Sequence, residues 1–226
     1  MIERTSNPQV CLFAKAPVPG AVKTRMQPEL GAHACAALAS TMLRQLAAML
    51  SQHWPGPRAI LAAPDLSHPV FGDLAVEFGF SLSEQLGADL GQRMGNALEQ
   101  GIRQHGAAMV IGADVPHLPV HVLQAAMTRL HLGEEVVGPS SDGGFYLLGL
   151  QRWDEALFSG IHWGTGQVLG SLLENGESCG RDFHLLEKTR DIDHYRDLLW
   201  LAQWDERYRS FVDNSSEHFA AEVGIG

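Results

Sequence analysis

The feature that most limits what this chain can fold into is a set of short runs that are apolar on both faces. Residues 9–14, 58–63 and 107–112 read QVCLFA, RAILAA and AAMVIG, so side chains that alternate between the two sides of a strand are apolar at nearly every position. Strands of that kind need cover on both sides, which is the condition of a parallel sheet held between two helical layers. The intervening segments supply those helices. Residues 28–51 are rich in Ala and Leu, 69–78 form a weaker helical run, and 88–105 are helical after a Gly-rich lead-in. An amphipathic stretch over 119–131 opens on Pro119, a residue suited to a first helical turn. The alternation predicts a three-layer α/β/α architecture with a mostly parallel sheet.

Beyond residue 131 the pattern changes. Short strands over 135–138 and 145–150 flank a Pro-Ser-Ser-Asp-Gly-Gly turn at 139–144, which predicts a small antiparallel excursion. A short helix over 164–174, a last strand over 183–186 and a closing helix over 194–204 follow, with a polar tail after Asp213. No linker divides the chain, and 226 residues suffice for one sizeable core. One domain over 1–226 is expected, with its core at about 9–204 and a C-terminal tail at 205–226.

Charge narrows the function. The formal charge is −10, so nucleic acid and anionic membranes are not expected partners. Residues 1–60 carry six Lys/Arg against two Asp/Glu, whereas 61–226 carry ten against twenty-four. An anion site near the N-terminus and a cation site further on fit that split. Lysine is scarce: only Lys15, Lys23 and Lys188 occur, and two of them fall in one short loop. There is no run of 18 apolar residues, and the first eight residues have neither a basic nor an apolar targeting region. Cys11, Cys35 and Cys179 lack CxxC spacing and read as buried thiols of a cytoplasmic protein. The eleven histidines are scattered and read as solvated or hydrogen-bonded.

Ligands of open α/β sheets sit outside the carboxyl ends of the strands, so the residues just past each strand carry most of the signal. After the first strand, Pro17, Pro19 and Gly20 shape a loop in which Lys15, Lys23 and Arg25 supply cationic donors and free backbone N–H groups can wrap a phosphate. It is neither a Walker A nor a GxGxxG loop. A solvated loop with chance charges is the plain alternative, and the scarcity of lysine elsewhere favours phosphate. After the strand at 107–112, Asp114 is placed to hold Mg²⁺ or Mn²⁺ against phosphate oxygens, or else to cap the helix beginning near Pro119. Within residues 138–149, Gly143 and Gly144 permit close backbone approach to a ligand, and Asp142 beside them can accept a proton or help hold the metal. Taken alone, the same residues make a good hairpin turn. In residues 190–198, Asp191 and Asp193 point the same way on an extended strand end, so one of them can complete a metal site. The competing role for Asp193 is a helix N-cap.

Taken together, these motifs resemble a known family. The loop FAKAPVPGAVKTR, the segment Asp89–Met94 (DLGQRM), the Gly112–Pro116 strand end, the GPSSDGGFYLLGL stretch, Trp163 with Thr165, and the late Asp191 and Asp193 are similar to those of the DUF2064 family. That family is also described as radical-SAM/selenodomain-associated transferases and is placed in the GT-A-like nucleotide-diphospho-sugar transferase superfamily. The resemblance spans about residues 9–204. The loop and the strand-end Asp are also similar to guanylyltransferases of deazaflavin cofactor synthesis and to molybdopterin nucleotidyltransferases. The chain departs from the family pattern at 113–117, where Ala-Asp-Val-Pro-His replaces the usual Ser-Asp-Cys-Pro-Asp. It departs again at Gly164, where Ser is usual, and at His194, where Thr is usual.

The resemblance implies a transferase that takes a nucleotide or nucleotide sugar as donor with Mg²⁺ or Mn²⁺. Lys15, Gly20, Lys23, Arg25, Asp89, Arg93, Gly143 and Gly144 are then the donor-binding residues. Asp114 and Asp193 are the metal ligands, with Asp142, Lys23 and Arg25 as catalytic groups. Glycosyl transfer to an unidentified acceptor is the first expectation. Nucleotidyl transfer from an NTP to a small anionic substrate, releasing pyrophosphate, is the alternative that the basic loop favours. A non-catalytic nucleotide-binding protein is the third.

Overall fold

The computed structural model describes residues 7–213, and in it the doubly apolar runs become the middle of one sheet. Its strands are β1 (Gln9–Lys15), β2 (Arg58–Ala63), β3 (Ser81–Glu84), β4 (Ala108–Gly112), β5 (Glu135–Pro139), β6 (Phe145–Leu150) and β7 (Phe183–Leu185), in the order β3-β2-β1-β4-β6-β5-β7. All pairings are parallel except those of β6 with β4 and with β5. β1 and β4 are adjacent and central, as runs apolar on both faces require.

Helices cover both faces. α1 (Gln27–Leu30), α2 (Ala32–His53), α3 (Pro69–Phe78), α4 (Leu90–His105), α5 (Val120–His131), α6 (Val168–Ser178) and α7 (Tyr195–Leu201) complete the architecture. Val10, Leu12 and Ala14 of β1 pack with α2, α3 and α5, whereas Cys11 packs on the other side with α4 and α6. This is the two-residue period of a strand expressed as two separate cores. Burial pushes the Cys11 thiol up to about 12, which suits an inert core position. α2 is long and apolar enough to cross a membrane by length and composition, and it sets Leu38, Leu43, Leu46 and Leu50 into the core.

Several expected boundaries shift for identifiable reasons. The helix read over 28–51 is broken at Gly31, whose φ of 74° ends α1 before α2 begins. The helix read from 164 starts at Val168, because 164–167 form a turn around Gly164 at φ 80°. β3 was not foreseen: its sequence, SLSE, is polar, and it pairs only with β2 at an edge, where apolar periodicity is not demanded.

The expected tail at 205–226 needs the largest correction. Its residues 214–226 lie outside the described residues, but Glu206–Tyr208 form a 3-10 turn that belongs to the core. Tyr208 is fully buried with Met26, Leu38, Met42, Ile192 and Leu198 in a third cluster, which joins the segment after β1 to the segment before α7. Tyr208→Ala is therefore expected to lower stability by about 3–5 kcal/mol, whereas Trp204→Ala, at a site 76% exposed, should shift the urea midpoint little.

Candidate active site

The carboxyl ends of β1 and β4 lie side by side and open on a cleft of about 780 Å³. Its charged lining comprises Lys15, Lys23, Arg25, Arg93, Asp114, Asp191 and Asp193, with Phe13, Met94 and Phe145 among the apolar walls. The loop after β1 is folded back on itself: Gly20 turns at φ 83°, and Lys15 Nζ donates to the carbonyl of Ala21 at 2.8 Å. Lys23 has φ 47° and ψ 37°, a left-handed conformation costing about 1–2 kcal/mol for a side chain other than glycine. It is the only non-glycine residue with positive φ among the described residues. The buried Met26 then anchors the loop in the third cluster.

The twisted backbone delivers Lys23 to the opposite wall. Its ammonium donates to Asp114 Oδ1 at 2.5 Å, to the Ile192 carbonyl at 2.6 Å and to Asp193 Oδ1 at 3.1 Å. All three N–H bonds are used. The Lys23 side chain is 6% exposed, whereas that of Asp114 is 48% exposed toward the cleft. The two carboxylates outweigh the burial and hold the Lys23 pKa above its ordinary value. Arg25 reaches the other oxygen of Asp193 at 3.4 Å. Backbone pairing closes the arrangement, since the Ile192 N–H donates to the Asp114 carbonyl at 2.9 Å.

Neither aspartate is a helix cap. α5 starts behind Pro119 with no side-chain cap, and α7 is capped by Asp197, which accepts from the His194 N–H at 2.8 Å. Asp191 lines the cleft beside them and accepts from the hydroxyl of the buried Ser140 at 2.6 Å. Burial above all, and then Asp114, Asp142 and Asp193, push its carboxyl up to about 7 against the Ser140 hydrogen bond. Ser140 and the Ile192 carbonyl were not singled out from sequence. Ser140 stands two residues before Asp142 in the same turn, and its partner lies 51 positions away.

Other expected residues fall elsewhere. Asp142 accepts from the Gly144 N–H at 2.9 Å within its turn and does not line the cleft. Gly143, at φ 90°, backs against Gly166, whose backbone a Cβ would strike, so its smallness serves packing between two turns. Asp89 caps α4 through the Gln92 N–H at 2.8 Å, while Arg93 one turn later does line the cleft. Gly91 of the same motif lies under the Trp163 ring, where a Cβ would come within 2.6 Å of the indole nitrogen. Gly20 shapes the loop without lining the cleft.

A second cavity of about 680 Å³ lies beyond residues 187–190, lined by His117, Lys188, Trp200 and Trp204. His117 and His121 stand four apart in sequence, but α5 begins at Val120, so they do not share a helical face. His117 Nε2 meets Thr189 Oγ1 at 3.0 Å, and His121 Nε2 meets Glu187 Oε2 at 2.9 Å.

A divalent cation is compatible with the first cleft by the chemistry of its donors. Asp114, Asp193 and the Ile192 carbonyl present hard oxygens around a single point, which the Lys23 ammonium occupies. Among the described residues, no group of three or more His, Cys, Asp or Glu side chains is arranged to hold a metal. Two carboxylates suffice for Mg²⁺ when substrate phosphates complete the shell.

A family model described as an uncharacterized protein conserved in bacteria, DUF2064, matches residues 35–165. No curated protein matches the chain. The crystal structure of a protein assigned as a nucleotide-diphospho-sugar transferase, from Desulfovibrio desulfuricans G20, is 26% identical, with a TM-score of 0.81 over 96% of each chain. A cytidylyltransferase from Leptospira borgpetersenii serovar Hardjo-bovis (strain JB197) is 13% identical, with a TM-score of 0.55 over 95% of this chain and 96% of its own. A 4-diphosphocytidyl-2C-methyl-D-erythritol synthase from Anaerococcus prevotii DSM 20548 is 10% identical, with a TM-score of 0.54 over 87% and 96%. The last two are likenesses of fold.

Asp191 gives the site a pH signature. Its folded pKa, about 7, exceeds the ordinary 3.8, so the folded state binds the extra proton and stability falls as pH rises from about 4 through 7. Asp191→Asn cannot ionise. In metal-free buffer, the variant should gain on the wild type by an amount on the order of 3 kcal/mol between pH 4 and pH 8, read from urea midpoints. A difference that stays flat with pH would remove the buried-carboxyl description.

Proposed function

The chain belongs to the DUF2064 family, and from that premise we propose that it is a nucleotide-using transferase, with glycosyl transfer from a nucleotide sugar to an acceptor as its reaction. The observation that carries this reading is the meeting of two charge sets across one cleft. Lys15, Lys23 and Arg25 come from the loop after β1, and Asp114, Asp191 and Asp193 come from the opposite wall. A cleft of that size and charge suits a diphosphate with a sugar or base at either end. The 26% likeness to a protein assigned as a nucleotide-diphospho-sugar transferase supports the choice of donor.

Each side chain then has a task. Lys15, Arg25 and Arg93 bind the diphosphate and orient it. Asp114 and Asp193 would hold a divalent ion, which supplies charge neutralisation at the departing nucleotide diphosphate. Asp191 lines the cleft and Asp142 does not, so Asp191 takes the proton of the acceptor hydroxyl, positioned by Ser140. The acceptor oxygen bonds to the anomeric carbon, the bond from that carbon to the phosphate oxygen breaks, and the nucleoside diphosphate leaves with the electron pair. The apolar wall of Phe13, Met94 and Phe145 excludes water that would compete with the acceptor.

Nucleotidyl transfer is the second reading, supported by the concentration of cations on the loop and by the fold shared with cytidylyltransferases. Product analysis separates the two. With Mn²⁺ and a panel of sugar nucleotides and NTPs, release of nucleoside diphosphate from a sugar nucleotide is expected. Release of pyrophosphate from an NTP would transfer the conclusion to the second reading, and stabilisation by nucleotides with neither product would leave a binding protein. Asp114→Asn should lower turnover by about 100-fold or more while leaving the circular dichroism spectrum unchanged.

A further inference from the structure

The Lys23 ammonium stands on the oxygens that a divalent ion would use. Its three donors are matched one to one with Asp114 Oδ1, the Ile192 carbonyl and Asp193 Oδ1 at 2.5–3.1 Å, and its side chain is 6% exposed. An ion bound to the same oxygens would lie in contact with the ammonium, with like charges and no water between them. The ion and the ammonium therefore exclude one another. Arg25 also engages Asp193, so the pair of carboxylates already faces two cations before any ion arrives.

We propose that Lys23 is the resident cation of this seat and that the donor enters as a metal–nucleotide complex. Lys23 yields the oxygens when the donor's phosphates are present in the cleft to receive its ammonium. The argument rests on the proposed use of a nucleotide donor for its second half only. A buried ammonium that leaves three acceptors needs replacements close by, and a diphosphate held by Lys15 and Arg25 offers them within the cleft that Lys23 already lines. The exchange turns one site into an ordered one: metal alone must break a matched set of contacts, whereas metal and diphosphate together replace it. By linkage, each then tightens the other by the same factor. The left-handed backbone of Lys23 belongs to the loop that also carries Arg25, so the ammonium starts beside the cations that would hold the diphosphate.

Mn²⁺ binding followed by electron paramagnetic resonance tests this without any assay of turnover. Lys23→Met is expected to bind Mn²⁺ in the absence of nucleotide at least tenfold more tightly than the wild type, and Asp114→Asn in that background should abolish the gain. Lys23→Gln, which keeps N–H donors in the seat without the charge, stands in if the Met variant does not fold. Each of ADP, CDP, GDP and UDP is then added, with the Mn²⁺ held by free nucleotide subtracted. At least one should tighten Mn²⁺ binding by the wild type tenfold more than binding by the variant. A Lys23 variant that binds Mn²⁺ no better than the wild type overturns the proposal. A tighter variant with no nucleotide effect on wild-type Mn²⁺ binding keeps the competition and overturns the joint entry. Failure of every nucleotide to shift the melting temperature of any form counts separately, against the transferase reading.

Discussion

One ammonium group ties together three segments that are remote in sequence. Lys23 is 91 residues from Asp114 and 170 from Asp193, and its bonds to them hold the loop after β1 against the far wall of the cleft. Such a contact needs rigid ground on both sides, because a buried charge misplaced by an ångström loses its hydrogen bonds while keeping its desolvation cost. The third apolar cluster provides that ground. Met26 lies three residues after Lys23 and Ile192 one residue before Asp193, and both are fully buried in it. Packing of ordinary hydrophobic residues thus sets the register in which a lysine meets two aspartates.

The fold was largely legible because its determinants are local. Runs apolar on both faces can only be interior strands, and β1, β2 and β4 take those places. The hairpin of β5 and β6 announced itself through a Pro-Ser-Ser-Asp-Gly-Gly turn. The elements that escaped were those whose stability comes from elsewhere. β3 is polar and held by main-chain pairing to β2 along an edge. The turn at Tyr208 is too short for any periodicity, and a single tyrosine ties it to the third cluster.

The candidate site was legible as a set of residue types and less so as roles. Scarcity made Lys15 and Lys23 conspicuous, and a strand-end Asp made Asp114 so, and the structure brings them to one cleft. Their relation was not readable: three cations on one loop and two carboxylates on other motifs suggest separate anion and cation sites, whereas Lys23 spans both. Glycines and capping residues misled in the other direction. Gly143 and Asp89 sit in motifs that resemble ligand-binding ones, yet Gly143 packs against Gly166 and Asp89 ends a helix. Motifs record everything that a fold needs at a position, and close packing requires glycine as strictly as a phosphate does.

The uneven charge of the chain finds its meaning at this contact. The basic first quarter and the acidic remainder meet here, and the excess of each is partly offset by the other across the cleft. Lys23 and Arg25 neutralise Asp114 and Asp193, so charge is balanced at that contact, while Lys15 and Arg93 leave the cleft around it basic. An anion alone finds Lys23 and Arg25 already paired, with Lys15 and Arg93 left to receive it, and a divalent cation alone meets an occupied seat. A ligand carrying both signs at the right separation replaces every broken pair with a new one. Selection then depends on geometry rather than on net charge, which is how a site of this composition can discriminate among the many phosphates of a cell.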